Sequence, residues 1–190
     1  MRFVALLLFF TSCAVVQNNS FRDRLDKLMG DHYNVYSLPF EKGTTVFVAQ
    51  GYESILSHKG DYAIDFKVAE GTKVLAARDG LVVYVRESNT AGGVGSKYVG
   101  KGNGITVQHK DGTYAHYWHL QYNGALVNVG DTVQEGQHIG LTGHTGFSAF
   151  PHLHFEVTRQ PHISRDDFPV IFFTVNGPNF LQPLRWYKVL

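Results

Sequence analysis

The stretch "PHLHFEV" at residues 151–157 reads as a β-strand and decides the fold. Alternate side chains of a strand project to opposite faces. His152 and His154 therefore project together. Leu153 and Phe155 project to the other face, where a hydrophobic core can form. Two imidazoles on one face indicate either a polar surface or a metal or catalytic site, and the pair alone does not decide between the two.

The composition is that of a globular protein with a single domain. The chain has 190 residues, of which 44% are hydrophobic and 17% are charged, so it can bury a sizeable core. Its formal net charge of +1 argues against a nucleic acid or a strongly acidic protein as partner. The single cysteine, Cys13, lies near the N-terminus, which leaves the domain without a disulfide or a cysteine nucleophile.

Residues 1–20 are predicted to be a secretory signal peptide. The apolar run 3–10 is too short to span a bilayer as a helix, and small residues follow it. The sequence "FTSC" (10–13) resembles a bacterial lipobox, although Phe10 stands where leucine is usual. Lipidation of Cys13, with attachment to a membrane, and simple cleavage are both compatible with this pattern. In either case the protein is predicted to be exported to the periplasm or the cell surface.

The rest of the chain is predicted to be a linker or short helix over 21–32 and one domain over 33–190. Strand patterns occupy 44–52, 61–68, 72–80, 81–87, 104–110, 113–120, 138–143, 152–159 and 170–175. Many short strands separated by Gly and Asp turns predict an all-β domain, a compact antiparallel sandwich or barrel. The Gly-rich insert 88–103 is predicted to be a flexible surface loop that rims a site.

Three segments carry side chains that suit metal or acid–base chemistry: "SHKGDYAIDF" (57–66), "YAHYWHL" (114–120) and "PHLHFEV". The candidates in them are His58, Asp61, Asp65, His116, His119, His152 and His154. Imidazole and carboxylate suit zinc, and a catalytic zinc needs three protein ligands and one open position. The remaining histidines can then act as acid, base or oxyanion donor. Neither a Gly-x-Ser-x-Gly elbow nor a His-Glu-x-x-His helix occurs in the sequence.

Together with "VNVGDTVQEGQHIGLTGHTG" (127–146), these segments resemble the lysostaphin-type (LytM-type) zinc endopeptidases, which cut peptide cross-bridges in bacterial cell walls. The similarity extends from "YSLPFEKGTT" (36–45) to "FFTVNGPNFLQPLRWY" (172–187). The ordered set of motifs is far more specific than any one of them. The resemblance implies a compact all-β domain of the duplicated hybrid motif type, one Zn²⁺ per chain and the peptide part of peptidoglycan as substrate.

The resemblance also implies a role for five side chains. His58, Asp65 and His154 would be the zinc ligands. His152 would be the base that activates water. His119 would orient or stabilise the developing oxyanion.

The chain departs from the family pattern in two places. Four residues before Asp65, where the family most often has its first histidine ligand, this chain has Asp61. His58 lies seven residues before Asp65 and is preferred, since imidazole is the commoner zinc partner, while Asp61 is the alternative ligand. The second departure is His144, which stands where the family usually has a small polar residue, and no role is assigned to it.

Other residues in these segments have structural interpretations. His116 lies three positions before His119, so it should face away from that residue, in the core or at the surface. His109 precedes a turn and is expected to make a structural hydrogen bond. Trp118 is expected to pack, or to shape a peptide groove.

A second function class shares this fold. A catalytically silent module would bind peptidoglycan or activate other wall hydrolases without cutting a bond itself. The complete set of five site residues that the resemblance implies favours the enzyme.

Overall fold

The secondary structure is almost entirely β. The computed structural model describes residues 34–54, 57–161 and 166–190, so the leader and linker predicted for 1–32 lie outside the described residues. The strands are β1 (Val35–Tyr36), β2 (Thr45–Gln50), β3 (Ala63–Lys67), β4 (Lys73–Leu75), β5 (Gly80–Arg86), β6 (Gly92–Gly93), β7 (Asn103–Gln108), β8 (Tyr114–Ala125), β9 (Thr132–Val133), β10 (His138–Thr142), β11 (Gly146–Phe147), β12 (His152–Thr158), β13 (Ile171–Thr174), β14 (Gly177–Asn179) and β15 (Arg185–Lys188).

The prediction of an all-β fold is confirmed. Within the described ranges the helical structure is limited to a 3₁₀ turn at Ser96–Tyr98. No helix in this part of the chain is long and apolar enough to cross a membrane.

One large antiparallel sheet positions the candidate site. Its strand order is β15-β2-β3-β12-β8-β7-β5-β9, and β10 pairs with both β8 and β4. A smaller sheet has the order β1-β13-β14, and β6 pairs with β11. The strand of the histidine pair, β12, lies between β3 and β8. Because β3 and β8 contain the other two motif segments, the sheet brings all three motifs side by side.

The core lies between the large sheet and the β1-β13-β14 sheet. Leu153 and Phe155 on β12 are no more than 1% exposed, as the alternation in the sequence predicts. The Phe155 ring packs edge-on against Phe172 of β13 at a centroid distance of 5.6 Å and against Tyr36 of β1 at 5.9 Å. Phe66 of β3 reaches Phe172 at 6.2 Å. One face of β12 is thus held in the core, which leaves the histidine face outward.

Replacing Phe155 by alanine is expected to lower the free energy of unfolding by about 3–5 kcal/mol, because the cavity left among fixed aromatic rings cannot collapse. Phe173, which is 46% exposed on β13, offers a control of the same residue type. The Phe173→Ala change is expected to cost about 0.5 kcal/mol or less. Urea unfolding of both variants measures the difference. Equal losses would contradict the placement of the core.

Candidate metal centre and active site

Strand register brings the motif residues together. Asp65 on β3 lies directly opposite His154 on β12, and Trp118 on β8 lies opposite His154 from the other side. Directly opposite residues of an antiparallel pair project from the same face. Asp65, His154 and Trp118 therefore share the face that carries His152.

Three side chains form a group of donor atoms that suits a metal ion. The Oδ1 atom of Asp65 lies 2.9 Å from Nδ1 of His154, and its Oδ2 atom lies 3.3 Å from Nε2 of His58. One donor atom from each of the three lies within 4.8 Å of the others. The Nδ1 atom of His58 is 3.2 Å from the carbonyl oxygen of Gly51. Since a carbonyl only accepts, Nδ1 carries a proton, and Nε2, which faces Asp65, is the atom that would bind a metal after giving up the proton it shares with that carboxylate.

Gln50 supports this group from β2, although no sequence motif indicates a role for it. Its amide nitrogen donates to Oδ2 of Asp65 at 2.7 Å and to the hydroxyl of Ser57 at 2.8 Å. The backbone N–H of Ser57 donates back to the Gln50 amide oxygen at 3.2 Å. The side chain of Gln50 is buried, so these bonds hold the Asp65 carboxylate in one orientation.

Asp65 and His154 form an ion pair in which the carboxylate is buried and the imidazole is partly buried. Burial raises the pKa of Asp65, but hydrogen bonds from His154 and His58 outweigh it, and the pKa lies well below its usual range. Burial lowers the pKa of His154, but the hydrogen bond to Asp65 outweighs it and raises the pKa to about 9. A metal ion bound at this group would displace the proton of His154.

His119 and His152 lie beside the first group as a pair of neutral imidazoles. Their ring centroids are 4.5 Å apart. Burial, together with repulsion from His152 and His154 when those rings are protonated, lowers the pKa of His119 to about 3, and burial lowers the pKa of His152. The Nδ1 atom of His119 is 2.7 Å from the Thr145 carbonyl, and that of His152 is 2.8 Å from the Phe150 carbonyl. Because each Nδ1–H donates to a carbonyl, each Nε2 atom presents a lone pair.

These two rings and His154 form a second possible metal group. One donor atom from each of His119, His152 and His154 again lies within 4.8 Å of the others. Asp61 belongs to neither of the two groups found among the described residues, although its side chain lines the adjacent groove. The geometry thus favours His58 over Asp61 as the partner of Asp65.

The orientation of His119 differs from strict strand alternation. His119 has a φ of 65°, a left-handed conformation that is uncommon for a residue other than glycine. The alternation of β8 therefore breaks after Trp118, and the two successive residues Trp118 and His119 both line the groove. His116 lies opposite Glu156 and stacks on Trp118, with the ring planes 9° apart. The expectation that His116 faces away from His119 is therefore wrong.

Three other histidines of the described ranges make structural contacts. The two ring nitrogens of His116, which is fully buried, each lie 2.9 Å from a hydroxyl oxygen, of Thr106 and of Thr158. The Nδ1 atom of His109 is 2.7 Å from the Asp79 carbonyl, as the structural interpretation predicted. The Nδ1 atom of His144 is 2.9 Å from Oγ of Ser148.

A groove of about 720 Å³ opens over the two histidine groups. Its floor includes His119, His154 and Trp118, whose indole lies against the backbone of Gly104. A Cβ atom on Gly104 would lie 2.3 Å from the indole, so glycine is required for this close approach. The Gly-rich insert 88–103 was predicted to lie at the rim of a site. It lines one side of the groove through Val99, Gly100 and Gly102.

Comparison with known proteins agrees with this geometry. The sequence profile described as Peptidase family M23 matches residues 57–165, more than half of the chain. The chain belongs to peptidase family M23. All five residues of the two histidine groups lie between 57 and 165, so the M23 match covers the whole candidate site.

Individual M23 relatives are similar over this same region. The glycyl-glycine endopeptidase ALE-1 of Staphylococcus capitis is 38% identical over 50% of this chain and 24% of its own length. The peptidoglycan DD-endopeptidase ShyA of Vibrio cholerae is 38% identical over 49% of this chain and 19% of its own. The similarity thus spans about a fifth to a quarter of these relatives.

A solved M23 structure shares the fold. It is a variant catalytic domain of the prophage-encoded protein EnpA from Enterococcus faecalis, 26% identical to this chain. The alignment covers 67% of this chain and 94% of that domain with a TM-score of 0.51. The antiparallel β-fold predicted from the sequence is therefore that of an M23 catalytic domain.

Proposed function

We propose that this protein is a zinc-dependent endopeptidase that hydrolyses peptide cross-links or bridges of bacterial peptidoglycan. One observation carries the proposal: two histidines and a carboxylate converge next to a pair of neutral histidines, and His154 and His119 expose this cluster to an open groove. The peptidoglycan substrate is taken over from ShyA, which is named a peptidoglycan DD-endopeptidase, and ALE-1, named a glycyl-glycine endopeptidase, supports an endopeptidase activity.

The residues present fit one zinc ion per chain. His58, Asp65 and His154 would hold it, through two imidazole nitrogens and a carboxylate oxygen, a donor set that suits a catalytic zinc. The contacts from Gly51 and Gln50 orient two of these ligands, as groups around zinc ligands commonly do. When bound, zinc would supply Lewis-acid polarisation of the scissile carbonyl and would acidify the attacking water.

His152 would act as the general base. Its Nε2 atom carries the lone pair, because its Nδ1–H is bound to the Phe150 carbonyl. It would accept a proton from the attacking water as the water oxygen bonds to the peptide carbon, and return that proton to the leaving amine as the carbon–nitrogen bond breaks.

His119 would position the attacking water. Its Nε2 atom is an acceptor in the neutral ring, so it would accept a hydrogen bond from the second hydrogen of that water. It could donate to the oxyanion only after taking up a proton. The hydrogen bonds of this chain therefore favour an orienting role for His119 in its neutral form.

Export is part of the proposal. Peptidoglycan lies outside the cytoplasmic membrane, so its hydrolase must be secreted or held on the outer side of that membrane. The signal peptide predicted over 1–20 would serve this purpose. Lipidation of Cys13 would then attach the enzyme to a membrane.

The test is the zinc content of the purified protein, measured together with the release of new amine groups from purified peptidoglycan. We expect close to one zinc per chain, and amine release that stops when a chelator removes the metal and resumes when zinc is added back. A zinc-free protein that binds peptidoglycan and releases no amine would instead identify the binding or activating module.

Replacing Gln50 by leucine is expected to weaken zinc binding by about 10- to 100-fold, because the Asp65 carboxylate loses the donor that orients it. Gln108→Leu is a matched control, since the Gln108 amide bonds only the hydroxyl of Tyr114 among the contacts described. Competition with a zinc-binding dye measures both affinities. Equal zinc affinity in the two variants would exclude an orienting role for Gln50.

A further inference from the structure

A second concave surface lies next to the proposed catalytic centre. It encloses about 500 Å³. We call it the aromatic shelf, and it consists of Phe47, Lys67, Val68, Ala69, Pro151 and Trp186. The Trp186 side chain is 68% exposed, and its ring lies 5.1 Å from the Phe47 ring, centroid to centroid. An exposed indole beside a second aromatic ring is an unusual feature of a free surface and typical of a binding site.

Strand register connects the shelf to His152. Trp186 on β15 lies opposite Phe47 on β2, Phe47 lies opposite Lys67 on β3, and Lys67 lies opposite His152 on β12. These four side chains therefore form one row on one face of the sheet.

Side-chain contacts follow the same row. The Lys67 ammonium is 5.7 Å from the centre of the Phe150 ring, and that ring is 5.2 Å from the His152 ring. The shelf is thus a continuous extension of the surface that carries the proposed catalytic histidines.

The shelf offers ring faces and one ammonium group, and it offers few backbone groups. β2 and β3 are interior strands, so their backbone amides and carbonyls are engaged in the sheet. An extended peptide that adds to a sheet needs the free backbone groups of an edge, and the edge of this sheet is the outer side of β15, on the far side of Trp186 from Phe47. The faces of Phe47 and Trp186 instead match the apolar C–H face of a pyranose ring.

The distance from His152 to the shelf matches the reach of a short peptide. From β12 to β15 there are three strand spacings, or about 14 Å at about 4.8 Å each. An extended chain covers about 3.3–3.6 Å per residue, so about four residues span this distance. Peptidoglycan stem peptides are of about this length, and each joins a cross-link to a sugar of the glycan strand.

We propose that the aromatic shelf binds a sugar ring of the glycan strand to which the cleaved peptide is attached. The proposal rests on the peptidase function proposed above. The stem peptide would run from the shelf past Lys67 to His152. Its free carboxylates would meet the Lys67 ammonium on the way.

The kinetic test compares two substrates. One is a cross-linked muropeptide that retains its disaccharides, and the other is the same peptide after an amidase has removed them. For Trp186→Ala and Phe47→Ala we expect KM for the sugar-bearing substrate to rise about tenfold, the effect of losing one aromatic stacking contact. The kcat value and hydrolysis of the sugar-free peptide should not change. Phe173→Ala, an exposed aromatic outside the shelf, should change neither substrate.

Several results would overturn the proposal. An equal loss on both substrates would assign the shelf to the peptide, and no loss on either would leave it without a role in binding. Zinc content and melting temperature of each variant separate these results from misfolding.

A binding test does not depend on activity. The tryptophan fluorescence of the wild-type protein is titrated with an N-acetylglucosamine tetramer, and a shift that is lost in Trp186→Ala is expected. If the protein cleaves neither muropeptide, the proposed peptidase function fails, yet this titration still decides whether the shelf binds sugar. A shift with phosphatidylglycerol vesicles and none with the tetramer would assign the shelf to a lipid surface and overturn the proposal.

Discussion

The His154→Ala variant is expected to lose both its zinc and its ability to release amine groups from peptidoglycan. His154 is the residue that both possible metal groups share, so its removal leaves either group with two donors. It also leaves the buried Asp65 carboxylate without its 2.9 Å partner. Loss of one of three ligands should weaken zinc binding by at least about 100-fold, by comparison with the 10- to 100-fold effect of removing a group that only orients a ligand. Metal analysis and amine release, measured on the same sample, test both expectations.

His138 provides the control for this variant. It is also a histidine on a strand, its Nε2 atom lies 3.0 Å from the Gly140 carbonyl, and it belongs to neither metal group. His138→Ala should retain zinc and activity. If His154→Ala keeps a full complement of zinc, the metal lies elsewhere and the proposed centre is wrong. If it loses zinc and still releases amine groups, the reaction does not need the metal.

Much of the fold could be predicted from the sequence because the central strands follow a strict alternation. Phe155 faces the core while His154 faces the groove, as the period of two requires. Short strands such as β6, β9 and β11 have two residues each and carry no period at all. They form because the turns around them place their backbone groups opposite a partner, and this depends on contacts distant in sequence.

The site was predictable to a similar extent. The family resemblance implies His58 and Asp65, and the turn before β3 folds His58 back beside Asp65 of that strand. Gln50 was not selected, because a β-bulge between Val48 and Gln50 shifts the register. Val48 lies opposite Phe66, whereas Gln50 lies opposite Asp65. A bulge depends on the pairing of two strands, and nothing in the sequence of β2 alone indicates it.

The left-handed backbone conformation of His119 could not be predicted from the sequence, for a related reason. Its positive φ costs of order 1 kcal/mol and persists only where the surroundings over-determine it. Here the Thr145 carbonyl holds Nδ1 of the ring at 2.7 Å. A strand pattern predicts alternation and cannot show where tertiary contacts break it. The break is also what turns His119 toward His152, so the residue that departs from the pattern is one that the proposed reaction uses.

The variant His119→Asn is expected to keep its zinc and its fold while kcat falls by about 10²- to 10⁴-fold. Asparagine tolerates the left-handed backbone conformation of this position better than most residues, so the free energy of unfolding should change by about 1 kcal/mol or less. It cannot supply the Nε2 lone pair, so the attacking water loses an acceptor. Zinc analysis, chemical unfolding and steady-state kinetics on a muropeptide substrate measure the three quantities.

The same variant decides between the two metal groups. If zinc is held by His58, Asp65 and His154, its affinity should be nearly unchanged in His119→Asn. A loss of zinc would move the metal to the group of three histidines and would make His119 a ligand. Retained zinc with full activity would remove His119 from the mechanism. Combining His119→Asn with His152→Gln tests whether the two rings work as a unit, since residues that act together lose little more in the double variant than in either single one.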